Sequence, residues 1–189
     1  MLLFVRYQKR TKNTTLKADN NIAAASKSNS ASDSNLIILK EKKDIVATHS
    51  PNSPMLNINV DSLINFAKSL LGTPYVYASS DPSVGFDCSG FITYVFNHFN
   101  VSVPRSSIDF TDEGITIPLQ KSRRGDLILF TGTDSTERFV GHMGIIVENN
   151  KDGISFIHST SGKAHGVTIT KLNDYYMGRF VKVVRIINE

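Results

Sequence analysis

The sequence of 189 residues has little of several residue types that define common protein classes. It contains one cysteine, which excludes an intrachain disulfide framework and any multi-cysteine zinc or iron–sulfur site. It contains no tryptophan, so its aromatic residues are phenylalanine and tyrosine. No apolar run approaches the ~18 residues that a membrane-spanning helix needs. These absences indicate a globular chain, and the role of its single cysteine is the first question that the sequence raises.

The formal charge of +4 comes from the first 57 residues. Residues 1–57 contain nine basic and four acidic residues, whereas residues 58–189 contain twelve basic and thirteen acidic ones. Because the second part carries a slight negative charge, its composition gives no support to nucleic-acid binding. The charge distribution therefore divides the chain near residue 58.

Residues 1–57 are predicted to form a low-complexity, disordered, basic tail, and residues 58–189 a single domain. The tail is rich in Asn, Ser, Thr, Ala and Lys, a composition that buries too little apolar surface to offset chain entropy. Its first five residues are apolar but are followed, not preceded, by basic residues. A secretory signal has the opposite order and a longer apolar core. We therefore expect no complete signal peptide in this sequence.

Helices are predicted first in the domain, from apolar spacing and capping residues. Asp61 and Gly72 are placed to begin and end the first helix, and Asp87 is placed to cap the second. The predicted helices span residues 61–72, 88–98 and, as a short third, 106–113.

Short segments rich in β-branched residues follow the helices and predict strands. They lie at residues 126–130, 143–147, 153–157, 167–170 and 180–187. Helices followed by closely spaced strands predict an α+β fold with an antiparallel sheet of five to six strands.

Cys88 lies at the predicted start of the second helix. The unpaired amides and positive dipole at a helix N-terminus favour thiolate over thiol, so we expect a lowered pKa for Cys88. The alternative, taken from this residue by itself, is a buried cysteine that acts as a small apolar side chain.

A nucleophilic cysteine needs a base and a group that orients the base. Of the five histidines, His142 stands just before one predicted strand and His158 ends another. On adjacent strands His142 could face the sulfur while His158 holds its ring. Each could equally be a histidine at a strand end with a structural role. A third ligand at metal-binding spacing is missing, so no metal site is expected.

Six segments around these residues resemble, in order, motifs of the NlpC-type bacterial cell-wall endopeptidases, which are papain-like cysteine peptidases. The resemblance covers about 120 residues, from the first helix to the last strand. The segments are GTPYVY at 72–77, GFDCSGF at 85–91, VPRSS at 103–107, RGDLILF at 124–130, GHMGI at 141–145 and FIH at 156–158.

The resemblance implies a papain-like fold in which the nucleophile begins a helix that packs on the sheet. Cys88 would be the nucleophile, His142 the general base and acid, and His158 the group that orients His142. Tyr75 matches a tyrosine that lies beside the cysteine and helps to form the oxyanion site. The backbone N–H of Cys88 would be the second oxyanion donor.

Asp87 and Ser89 match positions that contact the substrate peptide in some family members. Asp87 also suits a helix cap, and both roles are compatible. Arg105 is expected to brace the fold. The sequence departs from the family where Ala78-Ser79 stand in place of paired glycines.

The implied activity is hydrolysis of peptidoglycan stem peptides at the γ-D-glutamyl bond to a diamino acid. The resemblance implies no cofactor, a monomer, and a location in the cell envelope or outside the cell. Two alternatives stay open: a non-catalytic cell-wall-binding domain of the same fold, and a papain-like amidase or acyltransferase with another substrate.

Overall fold

The computed structural model describes residues 56–134 and 136–188 of the chain. The predicted tail therefore lies outside the described residues except for its last two positions. These two, Leu56–Asn57, form strand β1, which pairs in parallel with Ile187–Asn188, strand β10. All described residues belong to one compact unit, whose first and last strands meet in this small sheet.

The first helix, α1, spans Val60–Ser69, and its cap differs from the predicted one. The side chain of Asn59 accepts a hydrogen bond from the Ser62 amide at 2.8 Å, so Asn59 and not Asp61 is the N-cap. Asn and Asp cap equally well, and apolar spacing alone does not choose between positions two residues apart. Beyond the helix, Gly72 has a φ of +83°, which favours glycine.

The second helix, α2, spans Cys88–His98 and is capped as predicted by Asp87. Its apolar side chains, including Phe91, Ile92 and Val95, are completely buried. Helix α2 is therefore the central helix of the domain, and Cys88 is its first residue.

The main sheet has six antiparallel strands in the order β4-β9-β5-β6-β7-β8. Its strands are Ile115–Ile117 (β4), Leu127–Thr131 (β5), Val140–Asn150 (β6), Gly153–Thr160 (β7), Gly166–Lys171 (β8) and Phe180–Arg185 (β9). The predicted antiparallel sheet is confirmed, and β4 is an addition that the sequence did not indicate.

Both faces of this sheet are covered. On β5, Leu127 and Leu129 join the core formed with α1 and α2, whereas Ile128 and Phe130 join a second apolar cluster. That second cluster includes Tyr176 of the short helix α3, Asp174–Met177. Burial on both faces explains why β5 is a continuous run of buried residues.

The segment between α1 and α2 is anchored to the sheet. Pro74 bridges Gly166 of β8, and Tyr75 bridges Phe86. Within this segment β2, Ser80–Asp81, pairs with β3, Gly85–Phe86.

The predicted third helix is a 3-10 helix at Ser107–Asp112, and a second one spans Leu119–Lys121. Among the described residues, no helix combines the length and apolar character required to cross a bilayer.

Candidate active site

Cys88 is held where the first turn of α2 meets the sheet. Its Sγ lies 3.8 Å from the carbonyl oxygen of Gly141 on β6, and 9% of the residue is exposed. The turn of helix packs tightly against the preceding loop: a Cβ on Gly90 would lie 2.1 Å from the Ser79 carbonyl oxygen. Glycine is therefore required at position 90, and the thiol is fixed by main-chain packing.

His142 and His158 lie side by side on the neighbouring strands β6 and β7. The His142 Nε2 is 2.8 Å from the His158 Nδ1. The His158 Nε2 is in turn 2.9 Å from the Thr170 Oγ1 on β8. This row of hydrogen bonds fixes both rings and leaves the Nδ1 of His142 for proton transfer.

The Cys88 sulfur contacts β6 at the residue before His142, and no hydrogen bond joins the sulfur to the His142 imidazole in the described structure. The sulfur contacts the carbonyl of Gly141, the residue directly before His142. The predicted residues Cys88, His142 and His158 are thus brought to one region, with the two histidines paired and the thiol adjacent.

Burial disfavours the charged forms of the Cys88 thiol and of the His142 and His158 imidazoles. Desolvation and the Asp87 carboxylate raise the pKa of Cys88 to about 11, and the backbone amides of α2 offset only part of this. The expected lowering of the Cys88 pKa is therefore wrong for this geometry. Burial lowers the pKa of His158 to about 4 and that of His142 well below its usual value. A neutral thiol thus stands beside two neutral imidazoles.

Tyr75 lies in the loop before α2, in the same cavity as Cys88. Its amide donates to the His165 carbonyl at 3.0 Å, which fixes the backbone. Burial and the proximity of Cys88 and Asp87 raise the pKa of the Tyr75 phenol, so its hydroxyl stays protonated and can donate a hydrogen bond.

Asp87 and Ser89 form a polar cluster with Arg105 beside the thiol. The Asp87 carboxylate accepts from the Gly90 amide at 2.6 Å and from both terminal nitrogens of Arg105, at 3.0 and 2.7 Å. The same guanidinium donates to the Ser89 Oγ at 3.0 Å. The predicted bracing role of Arg105 is confirmed, because it ties the loop after α2 to the cap of that helix.

Two cavities flank the reactive groups. We call the first, of about 590 Å³, the thiol cavity; its lining includes Tyr75, Asp87, Cys88, Ser89, Arg105 and Asp109. We call the second, of about 710 Å³, the imidazole cavity; its lining includes His142, Lys163, Thr170, Tyr175, Tyr176 and Arg179. The sulfur and the imidazole thus face different cavities.

Thr170 and Arg179 were missed by the sequence analysis. Thr170 looks like an ordinary strand residue, and only the pairing of β7 with β8 places it beside His158. Arg179 follows α3 and lines the same cavity as His142, a position that depends on tertiary folding. No local sequence signal marks either residue.

Among the described residues, no group of three or more His, Cys, Asp or Glu side chains is arranged to hold a metal ion.

A family model matches residues 72–185, and its description is the NlpC/P60 family. The chain belongs to the NlpC/P60 family. The match covers the segment from the end of α1 to the last strand of the main sheet. The predicted resemblance is confirmed, as is the prediction that the family is one of cysteine-type cell-wall hydrolases.

Curated relatives and solved structures agree with the assignment of the chain to the NlpC/P60 family. A Bacillus subtilis protein named as a probable peptidoglycan endopeptidase, LytE, is 40% identical over 120 residues, which are 64% of this chain and 32% of that protein. A Bacillus cereus gamma-D-glutamyl-L-lysine dipeptidyl-peptidase is 34% identical over 113 residues, 60% of this chain and 32% of that protein. The chain spans about a third of the length of these two relatives.

The structure of an NlpC/P60 family protein from Bacillus cereus aligns with a TM-score of 0.62 at 28% identity. The alignment covers 71% of this chain and 42% of that one. The predicted α+β, papain-like fold is confirmed by this likeness.

Proposed function

We propose that this NlpC/P60 chain is a cysteine endopeptidase that hydrolyses the γ-D-glutamyl bond to a diamino acid in peptidoglycan stem peptides. The observation that carries the proposal is the placement of Cys88 at the start of α2, against the strand that holds the paired His142. The names of the relatives, a probable peptidoglycan endopeptidase and a γ-D-glutamyl-L-lysine dipeptidyl-peptidase, support the substrate class.

In the first half of the reaction the Cys88 sulfur attacks the amide carbonyl while its proton moves to the Nδ1 of His142. The tetrahedral oxyanion is stabilised by the Cys88 backbone N–H and the Tyr75 hydroxyl. The C–N bond then breaks, and His142 gives its proton to the leaving amine, which leaves a thioester on Cys88.

In the second half a water molecule gives a proton to His142 and attacks the thioester. Collapse of this second intermediate releases the acid and returns the proton to the Cys88 sulfur. His158 acts as a positioning residue, because its Nδ1 is bonded to the His142 Nε2 and fixes that ring. Asp87 and Ser89 are proposed to contact the acyl half of the substrate in the thiol cavity.

The raised pKa of Cys88 determines when its proton is transferred in this mechanism. A thiol with a pKa of about 11 beside a neutral imidazole loses its proton during attack and not before it. His142 therefore acts as a general base toward sulfur in the first step, and Cys88 does not need to exist as a stable thiolate.

We propose residues 58–189 as the catalytic domain and residues 1–57 as a basic tail that keeps the enzyme near the anionic cell envelope. The name of the Bacillus subtilis relative, a probable peptidoglycan endopeptidase, supports a location in the envelope or outside the cell. Deletion of residues 1–55, which keeps strand β1, should weaken binding to purified sacculi while leaving cleavage of a soluble muropeptide unchanged.

One observation favours a second candidate, a non-catalytic cell-wall-binding domain of the same fold. In the described structure the thiol is bonded to a main-chain carbonyl and not to His142, and its pKa is raised. Such a domain would bind stem peptides in the two cavities without cleaving them.

The deciding experiment is digestion of purified sacculi followed by mass spectrometry of the released muropeptides. The wild type should release fragments cut at the γ-D-glutamyl bond, and Cys88→Ala should release none while still binding sacculi. Release at the wild-type rate by Cys88→Ala would rule out the assignment. Binding without release by the wild type would favour the second candidate.

The roles of the two histidines are separated by the same assay. His142→Ala should abolish release, whereas His158→Ala should reduce it less, because His158 acts only through His142. The reverse order would show that the two roles are exchanged.

A further inference from the structure

The main chain that carries Tyr75 is held by the start of β8. Pro74 forms an isolated antiparallel bridge with Gly166, the first residue of that strand. Beside this bridge the Tyr75 amide donates a hydrogen bond to the His165 carbonyl at 3.0 Å. A Cβ on Gly166 would lie 2.5 Å from the Thr73 carbonyl oxygen, so the two segments approach as closely as glycine allows. The position of the Tyr75 main chain therefore depends on the conformation of His165.

His165 holds an unfavourable backbone conformation at this contact. Its φ is +46°, in the left-handed region that residues with a Cβ seldom adopt. Its amide donates to the Gly162 carbonyl at 2.9 Å, which closes the turn at the end of the loop between β7 and β8. Backbone strain of this kind persists where the surrounding structure imposes it, and it concentrates at functional sites. The strain here lies at the residue whose carbonyl binds the Tyr75 amide.

The histidine ring makes a second contact with Tyr75. The two ring centroids are 6.1 Å apart and the interplanar angle is 49°, within the range of aromatic contacts. Glycine would adopt the left-handed backbone at position 165 without steric cost, but it would not supply this ring. His165 is exposed, so packing in the core does not explain its side chain. The carbonyl and the ring of His165 thus both act on Tyr75.

The loop that ends at His165 also borders the reactive centre. Four of its residues line the imidazole cavity: Ser161, Gly162, Lys163 and Ala164. Tyr75 lines the thiol cavity together with Cys88. The loop between β7 and β8 therefore forms part of one cavity and, through His165, fixes a residue of the other.

We propose that His165 is a positioning residue: its left-handed backbone and its ring hold Tyr75 where the phenol hydroxyl can stabilise the tetrahedral oxyanion. This rests on the proposed function, in which Tyr75 donates a hydrogen bond to that oxyanion. Because the oxyanion develops in the transition state and not in the bound substrate, loss of the positioning should lower kcat and leave KM nearly unchanged.

The test measures kcat and KM for cleavage of a soluble muropeptide by the wild type and by two His165 variants. His165→Val removes the ring and places a β-branched residue at a left-handed position, so kcat should fall about tenfold while KM changes less than about twofold. His165→Asn keeps a residue that tolerates the left-handed backbone, so its kcat should stay within about threefold of the wild-type value.

Asn100→Val is the matched control. Asn100 follows α2 with a φ of +58°, is exposed, and lines neither the thiol cavity nor the imidazole cavity. Its replacement by valine imposes the same kind of backbone penalty away from Tyr75. The free energy of unfolding, measured by urea titration, should therefore fall in Asn100→Val as it does in His165→Val, while kcat stays within about twofold of the wild-type value.

Tyr75→Phe removes the hydroxyl on which the positioning acts. This variant should itself have a lower kcat than the wild type. Adding His165→Val to Tyr75→Phe should then lower kcat by less than about twofold, because two residues that act as a unit have non-additive effects.

Hydrogen exchange of the Tyr75 amide, followed by NMR, tests the contact independently of catalysis. Exchange should be about tenfold faster in His165→Val than in the wild type, because the partner carbonyl is displaced, and should change less than about twofold in Asn100→Val.

An equal loss of kcat in His165→Val and Asn100→Val would overturn the inference and leave the proposed amidase function intact. So would a further tenfold loss in the Tyr75→Phe background, or an unchanged exchange rate of the Tyr75 amide in His165→Val. A wild type that cleaves no muropeptide overturns the proposed function instead, and the exchange rate then decides whether His165 holds Tyr75.

Discussion

The buried histidine pair should make the domain lose stability in mild acid. His158 is completely buried, its Nδ1 faces His142 and its Nε2 faces Thr170. Burial lowers its pKa from 6.5 to about 4, so the folded state keeps it neutral where the unfolded chain would bind a proton. Because the pKa of His158 is lower in the folded state, its titration leaves the free energy of unfolding unchanged well above pH 6.5. As the pH falls from 6.5 toward 4, the free energy of unfolding decreases progressively.

The size of this effect follows from the two pKa values. For one group with a pKa of 6.5 in the unfolded chain and about 4 in the folded protein, the free energy of unfolding falls by about 2 kcal/mol between pH 7.5 and pH 5. The pKa of His142 is lowered in the same direction, so its contribution adds to the loss. A loss of about 2 kcal/mol is a large fraction of the stability of an ordinary domain.

The assay is urea unfolding at pH 7.5 and at pH 5, followed by circular dichroism, for the wild type and two variants. In His158→Gln the fall in the free energy of unfolding between the two pH values should be about 2 kcal/mol smaller than in the wild type. In His165→Asn, which removes an exposed loop histidine with a φ of +46°, the fall should match the wild type. An equal fall in all three proteins would refute the reasoning that a buried neutral imidazole destabilises the fold in acid.

Three further predictions follow from other contacts. Thr170→Val removes the 2.9 Å hydrogen bond that orients the second imidazole and should reduce kcat for muropeptide cleavage about fivefold, roughly 1 kcal/mol. Thr168→Val, on the same strand, should change kcat less than twofold, and an equal reduction would contradict the positioning role. Ala78→Gly should raise the free energy of unfolding by about 0.5–1 kcal/mol because Ala78 has a φ of +59°. Ala164 is an exposed loop alanine without a positive φ, so Ala164→Gly should lower the free energy of unfolding. If thermal unfolding shows a lower stability for both variants, the argument from the φ of Ala78 is contradicted. With a pKa of about 11, Cys88 should react with iodoacetamide at a rate that rises about tenfold per pH unit between pH 7 and 10. A plateau near neutral pH would mean that the thiolate is stabilised in solution.

The helices and the sheet could be predicted because their signals are local. Asp87 caps α2 and the apolar runs of β5 to β9 are long enough to show strand character. Strand β4, Ile115–Ile117, was missed because three residues between a glycine and a proline give too short a pattern. It exists because it pairs with β9, which lies far along the chain.

The proximity of Cys88, His142 and His158 could be predicted from the sequence, whereas their electrostatics could not. The order of the motifs identified Cys88, His142 and His158, and the structure places them together. The pKa of Cys88 was predicted in the wrong direction, because the helix N-terminus was visible in the sequence and the burial was not. Arg179 was missed since its position near the histidines depends on tertiary packing alone.

The thiol belongs to the helical layer, whereas the imidazole pair belongs to the sheet. The Cys88 sulfur meets Gly141 across 53 residues of chain, and the two histidines are 16 residues apart. Closing the 53-residue loop between Cys88 and Gly141 costs chain entropy that packing of the two layers must offset. The reactive centre therefore does not exist in a partly folded chain. The contact between the Cys88 sulfur and strand β6 requires the helical layer to be packed on the sheet.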